Sequence, residues 1–234
     1  MLGTRPDLSY SINFFSRYQN CASDNHYNYL SRLLRYLKTT LNFELTYSNN
    51  VTSVPLVGYA DADWGNESDR RSVTGYLFKI YDNTVSWVSR KQPTVSLSST
   101  EAEYVSLCSA TTKQPTVSLS STEAEYVSLC SATTEAIWLK RLLHDLGIET
   151  GIVNIYEDNM PCIAISKDPV YHKKVKHIDI KYHFIREQIK NKIIEPIYIS
   201  TQEQIADVLT KGLSSQKFTV FRDKLGVRSY EYFD

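Results

Sequence analysis

Four acidic residues stand where the predicted elements of this chain begin or end. Asp61 closes a predicted strand, and Asp158 follows another. Glu125, or its counterpart Glu103 in an earlier copy of the same segment, falls in the first turn of a predicted long helix, and Asp207 falls at the start of a last short helix. In a mixed sheet, strand ends and the adjoining helix starts can converge on one crevice. Carboxylate oxygens are the ligands that Mg²⁺ and Mn²⁺ prefer. Two such ions about 3.5–4 Å apart can activate a water and stabilise the leaving oxygen of a phosphodiester. The spacing alone is a weak signal, because the chain has 26 acidic residues and most acids are solvated surface.

The elements that must position these acids can be read from hydrophobic periodicity. Leu8, Ile12 and Phe15 fall at helical spacing after Pro6. Asp24 is the expected cap of a second helix with a stripe of Leu30, Leu33, Leu34 and Leu37. Leu41, Phe43, Leu45 and Tyr47 alternate as a strand does. Residues 57–61, 75–82 and 85–89 predict three antiparallel strands, the second turning into the third at Asp82-Asn83. Residues 123–146 predict a long helix with Leu139, Leu142, Leu143 and Leu146 on one face, ended by Gly147. A strand at 152–156, a helix carrying Ile178, Tyr182, Ile185, Ile189 and Ile193, a strand at 194–199 and a helix at 204–213 complete the layout. The expected fold class is α/β: a mixed five-stranded sheet with flanking helices, preceded by a small helical segment.

Composition sets the outer limits. The 234 residues suffice for one domain and a smaller attached segment, and 42% apolar residues allow a sizeable core. Lys plus Arg equals Asp plus Glu, so the chain lacks the overall basic balance of many nucleic-acid binders and its charge must be read locally. Cys21, Cys108, Cys130 and Cys162 form no Cys-x-x-Cys pair and no Cys/His zinc spacing, so free thiols are expected. No run of 18 or more apolar residues occurs, so no membrane span is expected, and the N-terminus has no signal-peptide pattern.

Residues 91–112 are repeated letter for letter at 113–134. Two identical adjacent copies read as a tandem duplication inside one domain, since solenoid repeats diverge and need three or more copies. The expectation is that one copy's length is extruded at about residues 100–121, with a helical turn at 101–109. Copy two runs unbroken into the long helix, which makes Glu125 the expected functional copy and Glu103 the alternative.

The residues around the acids are far more specific. Tyr59-Ala-Asp-Ala-Asp-Trp-Gly65, Asp69-Arg-Arg-Ser-Val-Thr-Gly-Tyr76, Ser86-Trp-Val-Ser-Arg-Lys-Gln92, Leu119-Ser-Ser-Thr-Glu-Ala-Glu-Tyr126, Lys176-His-Ile-Asp-Ile-Lys-Tyr-His-Phe-Ile-Arg-Glu187 and Gln204-Ile-Ala-Asp-Val-Leu-Thr-Lys211 occur in this order. They resemble the ribonuclease H domain in the Pol polyproteins of copia-type retrotransposons. Thr4-Arg-Pro-Asp7 and Leu34-Arg-Tyr-Leu-Lys38 resemble the segment that joins reverse transcriptase to that domain. The expected organisation is a reverse transcriptase connection or thumb remnant at 1–53, an RNase H-like domain at 54–228 containing the duplication, and a tail at 229–234. The polymerase's paired aspartates are absent, so no DNA synthesis is expected.

The resemblance implies a metal-dependent endonuclease that cleaves the RNA strand of RNA–DNA hybrids and leaves a 5′-phosphate. It implies two Mg²⁺ (or Mn²⁺) ions held by Asp61, Glu125 (or Glu103), Asp158 and Asp207. Asp63 is the runner-up to Asp61, read as a solvated or outer acid. Glu101 and Glu123, two positions before Glu103 and Glu125, point about 200° away from them on a helix and are read as capping acids. Glu157 is expected to face away from Asp158 if the strand persists through both residues. The loop at 200–204 has no His, so the role that many RNases H give a His there is not carried over.

Residues 172–192 hold seven Lys/Arg against two acids, with three of the five histidines. Lys173, Lys174 and Lys176 are the expected phosphate contacts, against the alternative of a solvated helix face. His177 and His183 lie six apart with no cysteine near, a poor zinc spacing. Trp87 and Trp138 are expected to pack rather than stack on bases. The expected partners are an RNA–DNA hybrid, reverse transcriptase and the rest of Pol, with no small-molecule substrate. The expected location is intracellular: cytoplasmic, within a virus-like particle, and also nuclear. Two rival readings are a catalytically inactive remnant and a non-enzymatic nucleic-acid-binding or structural module.

Overall fold

The computed structural model describes residues 3–49, 54–64, 71–92, 120–167 and 179–230. A 3₁₀ turn η1 (Pro6–Leu8) leads into α1 (Ser9–Ser16), α2 (Asp24–Thr39) and β1 (Phe43–Leu45). Then follow β2 (Leu56–Asp63), β3 (Val73–Ile80), β4 (Asn83–Lys91), α3 (Ser121–Asp145), β5 (Val153–Glu157) and α4 (Met160–Lys167). The rest is α5 (Asp179–Lys190), β6 (Ile194–Tyr198), a 3₁₀ helix η2 (Ile205–Leu209), α6 (Ser215–Lys224) and β7 (Val227–Ser229).

The sheet is the expected mixed one, in the order β4-β3-β2-β5-β6. β2, β3 and β4 form an antiparallel meander, and β5 and β6 run parallel to β2. The turn between β3 and β4 uses Tyr81 and Asp82 at positive φ, one residue earlier than Asp82-Asn83. That geometry matches the right-handed twist of the strands it joins.

One face of the sheet is covered by α3, whose Tyr126, Leu129, Ala132, Ala136, Leu139 and Leu143 are buried against Leu56, Phe78 and Ile155. The other face is covered by η2, α6 and β7 through Ile205, Leu209, Phe221, Leu225 and Val227. The leucine face predicted for α3 is therefore split. Leu139 and Leu143 are buried, but Trp138, Leu142 and Leu146 are exposed. Those three lie four residues apart along one stripe, rotated about 100° from the inward one. Trp138 thus does not pack as expected. Trp87 does, against the η2 and α6 side.

The N-terminal segment docks by part of its surface. β1 pairs antiparallel with β7 at the far end of the chain, and Asn13 Nδ2 donates to the Ser89 carbonyl at 3.0 Å. No residue of α2 is buried: Leu30, Leu33 and Leu37 of its stripe are half-buried, and Leu34 is exposed. The cap of α2 is Ser23, which forms a reciprocal capping box with His26, and Asp24 is the first helical residue.

Arg5 secures the docked part. Its Nε and Nη2 donate to the two oxygens of Asp7 at 3.0 and 2.9 Å, and Nη1 donates to the Thr40 carbonyl at 3.1 Å. Tyr36 Oη donates to Asp7 at 2.7 Å. Asp7→Ala leaves the buried guanidinium without its counter-charge and the half-buried phenol without its acceptor. The expected loss is about 3 kcal/mol, measured by urea unfolding. A loss below about 1 kcal/mol would show that the network contributes no more than an exposed pair.

Candidate active site

β2 and β5 run parallel, so their C-terminal ends lie at the same edge of the fold, and the acids gather there. Asp61 lies near the end of β2 and is buried. Glu157 ends β5, and Asp158 lies in the bend beyond it. The helix α3 brings Glu125 from its second turn, since it starts at Ser121, and η2 brings Asp207. One oxygen each from Asp61, Asp158 and Asp207 lie within 4.8 Å of one another, and so do one each from Glu125, Glu157 and Asp158. Asp158 thus belongs to both groups.

Neutral groups fix the frame. Ser128 Oγ on α3 donates to the Asp61 carbonyl at 2.7 Å and the Gly75 carbonyl at 3.2 Å, fastening α3 to β2 and β3. Gln92 Nε2, just past β4, donates to the Ala124 carbonyl at 2.9 Å, beside Glu125. Gln204 Nε2 donates to the carbonyls of Ala60 at 2.8 Å and Tyr156 at 3.3 Å, tying β2 to β5 at the start of η2. Thr210 Oγ1 donates to Asp61 Oδ2.

Two lysines supply positive charge. Lys211 Nζ lies 2.7 Å from Asp207 Oδ1 and 3.8 Å from Asp61 Oδ1. Lys217 Nζ lies 2.6 Å from Asp207 Oδ2 and also donates to the Thr201 carbonyl at 2.9 Å. Burial alone would lower the Lys211 pKa, but Asp61 and Asp207 beside it reverse this and raise it. Burial pushes Asp61 up to about 7, with Asp207 and Asp158 adding to the rise and Lys211 and the Thr210 hydroxyl opposing it. Burial also raises Glu125 and Glu157 well above the carboxylate range, followed by the charge of Glu157 on Glu125 and of Asp61 on Glu157. The donor set is all oxygen, and Glu125 Oε2 and Glu157 Oε2 are buried without a hydrogen-bond partner. That chemistry suits a hard divalent cation.

Asp61, Glu125, Asp158 and Asp207 are therefore brought together, as expected. Glu157 is a correction: it does not face away but joins Glu125 and Asp158. The strand stops at Glu157 and the chain bends at Asp158, so strand alternation does not extend to the second acid. Asp63 is the last residue of β2, half-buried and in neither carboxylate group. Glu123 is the third residue of α3, where its N–H donates to the Ser120 hydroxyl. Lys211 lies one helical turn from Asp207, the i,i+4 spacing that signals an acid–base pair, yet the sequence reading passed it over, along with Lys217, Gln204 and Thr210. Glu101, Glu103, Lys173, Lys174, Lys176, His172, His177 and the excursion at 100–119 lie outside the described residues.

The raised carboxyls predict a falling stability with pH in the metal-free protein. At these carboxyls the folded state binds more protons than the unfolded chain between the unfolded pKa near 4 and the folded pKa, so their contribution to stability is full below about pH 4 and, for Asp61, is lost as pH rises to about 7. Asp61 alone contributes a decline of roughly 4 kcal/mol, or about 10 °C in Tm. Thermal melts in EDTA at pH 5 and pH 8 check this. Added Mn²⁺ should restore Tm at pH 8, and a flat Tm in EDTA would contradict the charge crowding.

No family model matches the chain. The Pol polyprotein of transposon RE2 of Arabidopsis thaliana is 37% identical over 226 residues, 96% of this chain and 14% of that protein. The Pol polyprotein of transposon TNT 1-94 of Nicotiana tabacum is 35% identical over 231 residues, 98% of this chain and 16% of that protein. The chain thus spans about one seventh of the length of these relatives. Among solved structures, LC11-RNase H1, isolated from compost by a metagenomic approach, is 16% identical, with a TM-score of 0.45 over 66% of this chain and 91% of that one. Identity at this level along nearly the whole chain places the protein in the retrovirus-related Pol polyproteins of copia-type transposons.

Proposed function

We propose that this chain is the ribonuclease H of such a polyprotein: a metal-dependent endonuclease that cuts the RNA strand of RNA–DNA hybrids during reverse transcription. The observation that carries the reading is the convergence of Asp61, Glu125, Asp158 and Asp207 at one edge of the sheet, in two carboxylate groups joined through Asp158, with Asp61, Glu125 and Asp207 inside motifs that resemble that family. These four residues would hold two Mg²⁺ (or Mn²⁺) ions. When bound, such ions supply an activated water and charge stabilisation for the leaving 3′ oxygen. Lys211 offsets the charge of Asp207 and Asp61 before the substrate arrives. Recognition rests on 2′-hydroxyls and backbone shape rather than on base edges, with Lys173, Lys174 and Lys176 reaching phosphates. Its partners are the hybrid, reverse transcriptase and the rest of Pol, in an intracellular particle. No helix among the described residues is long and apolar enough to cross a membrane.

The test is cleavage of a labelled hybrid with Mg²⁺, compared with single-stranded RNA, duplex DNA and an EDTA control. Cleavage of the hybrid alone supports the reading, and hybrid binding without cleavage would establish an inactive remnant. Glu125→Gln is expected to lower cleavage by about 10²-fold or more, on the order of 3 kcal/mol, and Glu103→Gln to leave it unchanged. The Gln92 bond to the Ala124 carbonyl and the unbroken run of α3 favour copy two. Loss from Glu103→Gln alone would reverse the assignment.

A further inference from the structure

We infer that Glu157 is a fifth ligand of this centre, forming with Glu125 and Asp158 an inner site for one hard divalent cation, Mg²⁺ or Mn²⁺. The inference deepens the hydrolase reading and shares Glu125 and Asp158 with it. One oxygen from each of the three residues lies within 4.8 Å of the others, a spread that an ion with oxygen ligands at about 2.0–2.6 Å can span. Glu157 is fully buried and Glu125 nearly so. Glu157 Oε1 accepts the Asn159 N–H at 3.2 Å, which sets the orientation of the carboxyl group. Its Oε2, like Glu125 Oε2, is buried with no hydrogen-bond partner.

Charge balance points the same way. Lys211 and Lys217 bind Asp207, and Lys211 also reaches Asp61. Among the described residues neither Glu125 nor Glu157 forms an ion pair. Buried carboxylates without a counter-charge either take up a proton or bind a cation. A shared proton joins two oxygens, whereas here three carboxyl groups converge. Asp61 and Asp207 of the outer group are paired with lysines, whereas among the described residues no lysine forms an ion pair with Glu125 or Glu157.

The experiment titrates the full chain and Glu157→Gln with Mn²⁺ at pH 8, by calorimetry and by the electron paramagnetic resonance of bound Mn²⁺. The parent is expected to bind two ions. Glu157→Gln is expected to lose one, or to bind it at least about tenfold more weakly, while Asp61→Asn keeps the inner ion. In EDTA at pH 8, Glu157→Gln should melt no lower than the parent, because a buried charge is gone; this also shows that the variant folds. Two ions bound with parental affinity by Glu157→Gln, or no Mn²⁺ bound by the parent, would overturn the inference. Loss of one ion in a chain that cuts no hybrid would keep the inner site and remove the hydrolase reading. Hybrid cleavage with ion binding unchanged by Glu157→Gln would do the reverse.

Discussion

Asp158→Asn is expected to lower hybrid cleavage by about 10⁴-fold, on the order of 5 kcal/mol of transition-state stabilisation, without unfolding the protein. Asp158 contributes an oxygen to both carboxylate groups, so its loss weakens both ion positions together. Asn keeps the shape and one oxygen but removes the charge. The same change relieves repulsion on Asp61, Glu125 and Glu157, whose pKa values its charge helps to raise. The metal-free variant should therefore melt at or above the parental temperature. Inactivity together with a Tm several degrees lower would mean a structural role. Activity within about tenfold of the parent would mean that the ions are held elsewhere.

Gly75→Ala is expected to cost about 2–4 kcal/mol of stability, near 10 °C in Tm, and about 10²-fold in cleavage. Gly75 pairs with Asp61 across β2 and β3. A Cβ there would meet Thr210 Cγ2 at 2.5 Å, Leu209 Cβ at 3.0 Å and the Ala206 carbonyl oxygen at 3.2 Å. Two of these contacts belong to the backbone or its first side-chain atom, so the whole of η2 must move away from the sheet. That movement separates Asp207 and Thr210 from Asp61. Calorimetry and the hybrid assay measure the two effects. Loss of stability with full activity would show that η2 recovers its place once substrate is bound.

The sheet and the long helix were legible because their periodicity is strong and their turns carry the expected residues. Asp61, Glu125 and Asp207 were legible because they sit inside specific motifs at element boundaries. Glu157 was not, because alternation was extended one residue past the point where β5 stops. Trp138 was misread for a geometric reason: adjacent helix positions are about 100° apart, so it lies on the outward stripe although its neighbour Leu139 is buried. The short elements α4, α6 and β7 were missed because eight, ten and three residues carry little periodic signal. The roles of Lys211 and Lys217 depend on where η2 and α6 place them against Asp207, which no local pattern encodes.

The pairing of β1 with β7 governs the order of folding. Phe43 pairs with Ser229, so β1 cannot find its neighbour until Val227–Ser229 has left the ribosome. At about 5–20 residues per second, that wait is roughly ten to forty seconds. Throughout it β1 is an unsatisfied edge, open to pairing with any other strand. The β1–β7 pair is therefore the last strand pair of this sheet pattern to close, and a ribosome that stalls before Val227 leaves β1 unpaired.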